Sequence, residues 1–323
     1  MVSKNTTHIF QQANHSLRLI CSTSHVSLFV LARSHCTDKR LQSNVGQSNN
    51  QQVSMHEMLN NLELAMGWNG NKYDCFQKEY QYHSGLALLE KLTELNHLNG
   101  KSVIDLRCGN GELSSLISQH TNMTVKCVDA DASMIDVFTR KHSSDFTEIE
   151  HADIALWLDK QRESSSDVIF SNAVFHWLGT HEQLTPVLLN CYRVLKHNGM
   201  IALRFSLSDN ALNIKRYLHN KIVEFNGAHV DDFFYSQLTL TRFLTQLELI
   251  GFTVLYSKEE SYYPFNNSDR DLDFILDSQP IYDYIPKDRY ADFIEYVTDA
   301  WNTEVSKVRL KSHHALIIAS KNA

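Results

Sequence analysis

The stretch VIDLRCGNG, residues 103–111, constrains the fold more than any other part of the chain. An apolar, β-branched run carries an acid, Asp105, and leads into glycines at 109 and 111. ELSSLISQH (112–120) then reads as a helix. A short buried strand, a glycine loop and a helix form the opening of a βαβ unit. The rhythm repeats down the chain. TVKCVDA (124–130) is a second strand, ending in Asp129, and ASMIDVFTRKH (132–142) a second helix. IEHADI (149–154) reads as a third strand and DVIFSNA (167–173) as a fourth. A helix over 181–195 leads to the stop signal HNG (197–199), and MIALRFS (200–206) is a fifth strand. Strands alternating with helices predict a doubly wound α/β domain on a parallel sheet.

Less regular segments flank this core. Tyr73 to Leu98 has helical spacing, with Leu86, Leu89, Leu92 and Leu95 in series and Gly100 as the stop. Beyond the fifth strand, LTLTRFLTQLELIG (238–251) reads as a helix and FTVLYSKEESYYPF (252–265) as a strand. A helical stretch over about 269–305 follows, and HALIIAS (314–320) is a final strand. The expected layout is a leader over 1–54 and one domain over 55–323. Within that domain lie a helical cap (72–98), a core (101–206), substrate-side helices and a strand (207–311), and a last strand (312–320).

The leader differs in composition. Lys4, Arg18, Arg33, Lys39 and Arg40 face a single acid, Asp38, among many serine, threonine, asparagine and glutamine residues. That is the composition of a mitochondrial transit peptide. A disordered tail, or translation starting at Met55, would read the same way. The expected location is the cytoplasm, or the mitochondrial matrix if the leader is a targeting signal.

Other features exclude function classes. A net charge of −7 disfavours nucleic-acid binding. Six cysteines without a CxxC pair, and histidines without ligand spacing, predict neither a disulfide frame nor a metal site. The apolar run VSLFVLA (26–32) is too short to span a membrane. No exposed heptads indicate a coiled-coil dimer, and the oligomeric state stays open.

The glycine loop has a chemical reading. Ligands of open α/β sheets bind beyond the carboxyl ends of the strands, where glycines let backbone approach them. The following helix start offers amides to an anion. An acid ending the second strand, Asp129, suits a ribose diol. A structural turn beside an incidental aspartate remains the alternative.

These segments resemble the motifs of class I S-adenosylmethionine-dependent methyltransferases. VIDLRCGNG is similar to their first motif, usually VLDLGCGxG, and CVDADASMI (127–135) to their second. HADI (151–154), DVIFSNAVFHWL (167–178) and YRVLKHNGMIAL (192–203) resemble the next three, in order. The resemblance implies a Rossmann-like, seven-stranded, mostly parallel sheet with an antiparallel last strand and helical additions at the N-terminus and before the last strands. It implies S-adenosyl-L-methionine as cofactor. Asp105, Cys108, Gly109 and Gly111 would line its methionine end. Asp129 would hold the ribose, and Ala130 and Met134 would also bind the cofactor. Asp153 and Ile154 would hold the adenine, and Ser171 and Asn172 would border the sulfonium. Arg107 departs from the family's glycine. It would weaken binding, leave it unchanged, or pair with the cofactor's carboxylate.

NAVFHWL (172–178) also resembles a segment of small-molecule carboxyl methyltransferases, the trans-aconitate and juvenile hormone acid enzymes. FQKEYQYHSGLALLEKL (76–92) resembles the N-terminal helix of the latter. By that resemblance Gln81 and Trp177 hold the acceptor's carboxylate. Three readings stand. The first is O-methylation of a small carboxylic acid. The second is methylation of a hydroxyl or nitrogen with His176 as base. The third is a methyltransferase-like mitochondrial assembly or partner-binding protein with weak or no methylation. His176 and Trp177 would equally serve plain helix-to-sheet packing. FFY (233–235) and YYPF (262–265) would wall an acceptor pocket or belong to the core.

Overall fold

The computed structural model describes residues 78–95, 97–142, 147–227, 236–265, 268–278, 284–303 and 308–322, all within the unit Val53–Ala323. The leader, the start of the N-terminal helix and FFY (233–235) lie outside the described residues.

The core runs α1 (Lys78–Leu95), β1 (Val103–Leu106), α2 (Glu112–Thr121), β2 (Val125–Asp129), α3 (Ala132–His142), β3 (Thr147–His151), α4 (Ile154–Lys160) and β4 (Ser166–Asn172). A 3-10 turn (Phe175–Trp177), α5 (His181–Val194) and β5 (Leu195–Ser206) complete it. Next come α6 (Leu212–Asn226), α7 (Leu240–Ile250), β6 (Phe252–Tyr262), α8 (Ser268–Ser278), α9 (Tyr290–Thr303) and β7 (Ser312–Lys321). The seven strands form one sheet in the order β3-β2-β1-β4-β5-β7-β6. β7 is antiparallel to both its neighbours, and the other pairings are parallel. This is the Rossmann-like architecture with an antiparallel last strand.

Alternation along the strands sends side chains to two cores. Ile104, Leu106, Ile169, Leu203 and Phe205 pack under α4, α5 and α7. Val103, Cys127, Phe170 and Ala202 pack under α1, α2 and α3, against Leu88, Leu92, Ile117 and Phe138. A third cluster joins α6, α8 and α9 through Leu218, Ile275, Phe293 and Trp301. Strand order reverses between β1 and β4, which opens a crevice at their carboxyl ends.

Two expectations need correction. IEHADI is a strand only to His151. Asp153 leaves the ladder and caps α4, accepting bonds from the Ala155 and Leu156 amides at 3.0 and 3.2 Å. HNG does not stop a helix. α5 ends at Val194, and the three residues lie within β5, where Asn198 takes φ 59°. Within the helical stretch expected over about 269–305, the described residues form α8 and α9.

Candidate cofactor and acceptor site

β1 ends in a loop fastened to β2. Arg107 and Cys108 both donate backbone N–H to Val128 O, at 2.7 and 3.2 Å. Gly109 N donates to Asp129 Oδ2 at 2.9 Å, and Asp131 N donates to Asp129 Oδ1 at 2.9 Å. Asp129 therefore organises both the glycine loop and the turn into α3. Asp131 Oδ1 in turn accepts from Ser133 N and Met134 N, capping that helix. Gly109 and Gly111 have φ of 57° and 84°. No atom lies within 4 Å of where a Gly109 Cβ would stand, whereas a Gly111 Cβ would meet Phe138 at 2.4 Å. The first glycine leaves room beside the loop, and the second lets α2 pack on α3.

Burial gives the acids unusual properties. Asp105 is 3% exposed and accepts from Ser114 Oγ at 2.6 Å. Burial raises its pKa to about 7, with Ser114 opposing and the Asp129 charge adding to the rise. Burial also raises Asp129, against the amides of Asp131 and Gly109 and the Arg107 guanidinium. The Cys108 thiol, half-buried beside Cys127, is held well above the ordinary thiol range.

A cleft opens at the switch point, with an empty volume of about 830 Å³ including its mouth. On the β1–β2 side it is lined by Asp105, Arg107, Cys108, Gly109, Asp129 and Met134. On the β4–α1 side it is lined by Gln81, Asn172 and Trp177. Tyr82, Asn110, Glu112, Leu113, Asp131, Ala173 and Val174 complete the wall, and the sequence motifs do not single them out. Their one signal was adjacency to residues that were singled out.

Other expected residues sit elsewhere. Gly111 serves the α2–α3 contact. Ala130 offers its carbonyl to His151 Nε2 at 3.0 Å. Ile154 is fully buried in the core, and the Asp153 carboxylate caps α4. Ser171 is also fully buried, donating Oγ to Leu106 O at 3.0 Å and so tying β4 to β1. His176 is not in the cleft wall. Its Nδ1 accepts from Ser206 N at 3.3 Å.

Two cleft residues other than glycine hold left-handed backbone, Arg107 at φ 60° and Ala173 at φ 64°. Each costs about 1–2 kcal/mol against ordinary geometry. Arg107 Nε is buried without a hydrogen-bond partner. A carboxylate entering beside it would satisfy that donor. With the amides that begin α2 and the carboxylate of Asp129, the wall suits a ligand bearing a carboxylate and a ribose. S-adenosylmethionine has both.

Comparison with known proteins agrees. Residues 104–203 match the family model described as methyltransferase domain. Trans-aconitate 2-methyltransferase of Delftia acidovorans is 29% identical over 140 residues, 43% of this chain and 49% of that protein. The enzyme of that name from Escherichia coli O139:H28 is 30% identical over 156 residues, 48% of this chain and 56% of its own. The chain thus spans about half the length of the curated relatives it matches. A solved S-adenosylmethionine-dependent methyltransferase from Mesorhizobium loti is 15% identical, with a TM-score of 0.45 over 75% of this chain and 97% of its own. Residues 104–203 thus match a methyltransferase domain, set on the Rossmann-like sheet described above. Among the relatives it resembles are the trans-aconitate 2-methyltransferases.

Proposed function

We propose that the protein transfers a methyl group from S-adenosylmethionine to a carboxylate oxygen of a small organic acid. The observation that carries this reading is the placement of His176. This histidine of the acceptor segment lies outside the cleft wall, and its Nδ1 accepts the Ser206 amide. A neutral imidazole that accepts at Nδ1 carries its proton on Nε2, so it has no lone pair left for a base. Burial, then Lys215 and Arg204, hold its pKa well below the ordinary range, which keeps it neutral. An acceptor that needs no deprotonation fits such a site, and a carboxylate is already ionised at neutral pH.

The cofactor supplies an electrophilic methyl carbon on a sulfonium. The chain's own residues bind and align. Arg107 and the α2 amides take the cofactor's carboxylate, and Asp129 takes its ribose. Gln81 and Trp177 line the opposite side and offer amide and indole N–H donors to the acceptor. Alignment of oxygen, carbon and sulfur then does most of the catalytic work.

The test is methyl transfer from labelled cofactor to a panel of carboxylic acids between pH 5 and 8, after calorimetric titration with S-adenosylhomocysteine. Micromolar binding, and a rate sustained below pH 6, are expected. Loss of the rate in His176→Gln, with cofactor affinity intact, would instead indicate a histidine base and a hydroxyl or amine acceptor. The partner-binding reading draws on Arg107, whose side chain occupies cleft wall where the family has glycine. It gains if the wild type fails to bind either cofactor form and Arg107→Gly restores binding.

A further inference from the structure

α1 carries a glycine in its middle, Gly85, where alanine would favour the helix. A Cβ there would stand 2.3 Å from Leu113 Cδ1, 3.0 Å from Asn172 Nδ2 and 3.2 Å from Asn172 Cγ. Leu113 belongs to the first turn of α2, and Asn172 ends β4. The missing side chain therefore lets α1 lie directly on both. Leu113 and Asn172 line the cleft, and so does Gln81, four residues before Gly85 on the same helix face. Toward its C-terminus α1 is fixed to the sheet by Leu88, Leu89 and Leu92, all buried.

This close contact orients one side chain. Asn172 Nδ2 donates to the backbone carbonyl of Gln81 at 3.1 Å. A carbonyl only accepts, so the nitrogen of the amide must be the atom that meets it. Oδ1, at the other corner of the same planar amide, is turned away from that carbonyl. It is buried and has no hydrogen-bond partner. A buried acceptor left in that state is costly unless a ligand complements it. Across the cleft, Asp129 suits the cofactor's ribose, and Arg107 with the α2 amides suits its carboxylate. The cofactor's sulfur joins those two parts. In S-adenosylmethionine it carries a positive charge, which S-adenosylhomocysteine lacks.

We propose that Gly85 is a positioning residue for the methyl donor. By seating α1 on Asn172 it fixes that amide with Oδ1 toward the sulfonium, so that the site reads the charge of the donor. The negative end of the carbonyl dipole acts in a poorly hydrated cleft, where its field is little screened. The neutral thioether of S-adenosylhomocysteine gains no comparable attraction. The inference concerns the donor side and needs no particular acceptor.

The test is calorimetric titration of the full chain with S-adenosylmethionine and, separately, with S-adenosylhomocysteine, in the absence of acceptor. The readout is the ratio of the two dissociation constants, which a general loosening of the cleft would not move. Asn172→Leu, similar in size but without the dipole, should weaken S-adenosylmethionine at least about fivefold more than S-adenosylhomocysteine. Asn172→Asp, which brings a full negative charge, should move the ratio the opposite way. Gly85→Ala should shift the ratio in the direction of Asn172→Leu. Adding Leu113→Ala to it, which makes room at the closest contact, should recover part of the shift. If Asn172→Leu does not fold, Asn172→Asp and Gly85→Ala decide. Equal weakening of both ligands in Asn172→Leu, or an unchanged ratio in Gly85→Ala, overturns the proposal and leaves these residues a packing role. That failure would leave carboxyl methylation untouched, since no acceptor is present. Inactivity toward every acid in the panel would remove carboxyl methylation and leave the ratio to be read as before.

Discussion

Arg107 holds a left-handed conformation that glycine would adopt without strain. Arg107→Gly should stabilise the ligand-free protein by about 1 kcal/mol, read from urea unfolding. It should also weaken S-adenosylhomocysteine binding by roughly tenfold, because a charge-assisted hydrogen bond to the ligand carboxylate is lost. Tighter binding in the variant would mean that the guanidinium obstructs the site. Asp129→Ala removes the acceptor of the Gly109 and Asp131 amides and, on the proposed reading, the group that takes the cofactor's ribose. Its cofactor affinity should fall by about 1–3 kcal/mol in calorimetry. Gln81→Ala and Trp177→Ala should raise KM for the acceptor and leave cofactor affinity intact. Loss of cofactor binding in both would make them structural. At this scale the sequence was readable where a residue's chemistry and its motif position agree, as at Asp129, Gly109 and Trp177. It was silent where a side chain's task depends on what packs behind it. Ser171 and Ile154 fall at motif positions yet face the interior, and His176 is claimed by the backbone of a strand thirty residues away.

Elements carry the constraint that loop residues alone do not express. α2 and α3 approach closely only because residue 111 has no side chain. Gly111→Ala combines a Cβ clash with Phe138 and an unfavourable φ, and should cost roughly 2–4 kcal/mol in thermal or urea unfolding. Gly109→Ala meets no neighbour within 4 Å, so it should cost less stability and more cofactor affinity. β1 also sets a pH dependence through Asp105. Its folded pKa of about 7 lies above the ordinary 3.8, so between those values the folded state holds a proton that the unfolded chain has released. Stability then falls as pH rises through that window, by at most about 4 kcal/mol at roughly 1.4 per unit. The advantage of Asp105→Asn over the wild type should therefore grow from pH 5 to pH 8, and a constant difference would refute the assignment. Strand and helix periodicity revealed β1, β2, β4 and β7, while the antiparallel course of β7 was implied by the family resemblance alone. α4 was hidden because IEHADI is apolar enough to continue a strand, and the Asp153 cap that ends it is a matter of backbone direction.

For the whole molecule, the buried lysine of α6 gives a second titration. Burial lowers Lys215 to about 8 from 10.5, so between these values the unfolded chain binds the extra proton. Stability should rise with pH there, by roughly 3 kcal/mol at most. Lys215→Met should therefore be more stable than the wild type at pH 7, with the gap closing by pH 10 in urea melts. The placement of β7 has a different consequence. Residues 312–321 fill the position between β5 and β6, so β6 has no partner in the sheet until they are in place. During synthesis, β1 to β5 and the glycine loop can assemble while β6 waits. The open edge of β5 is meanwhile the surface most exposed to pairing with another chain. Deleting residues 312–323 would leave that edge permanently bare, and the molecule should then be lost to aggregation from a nearly finished nucleotide fold.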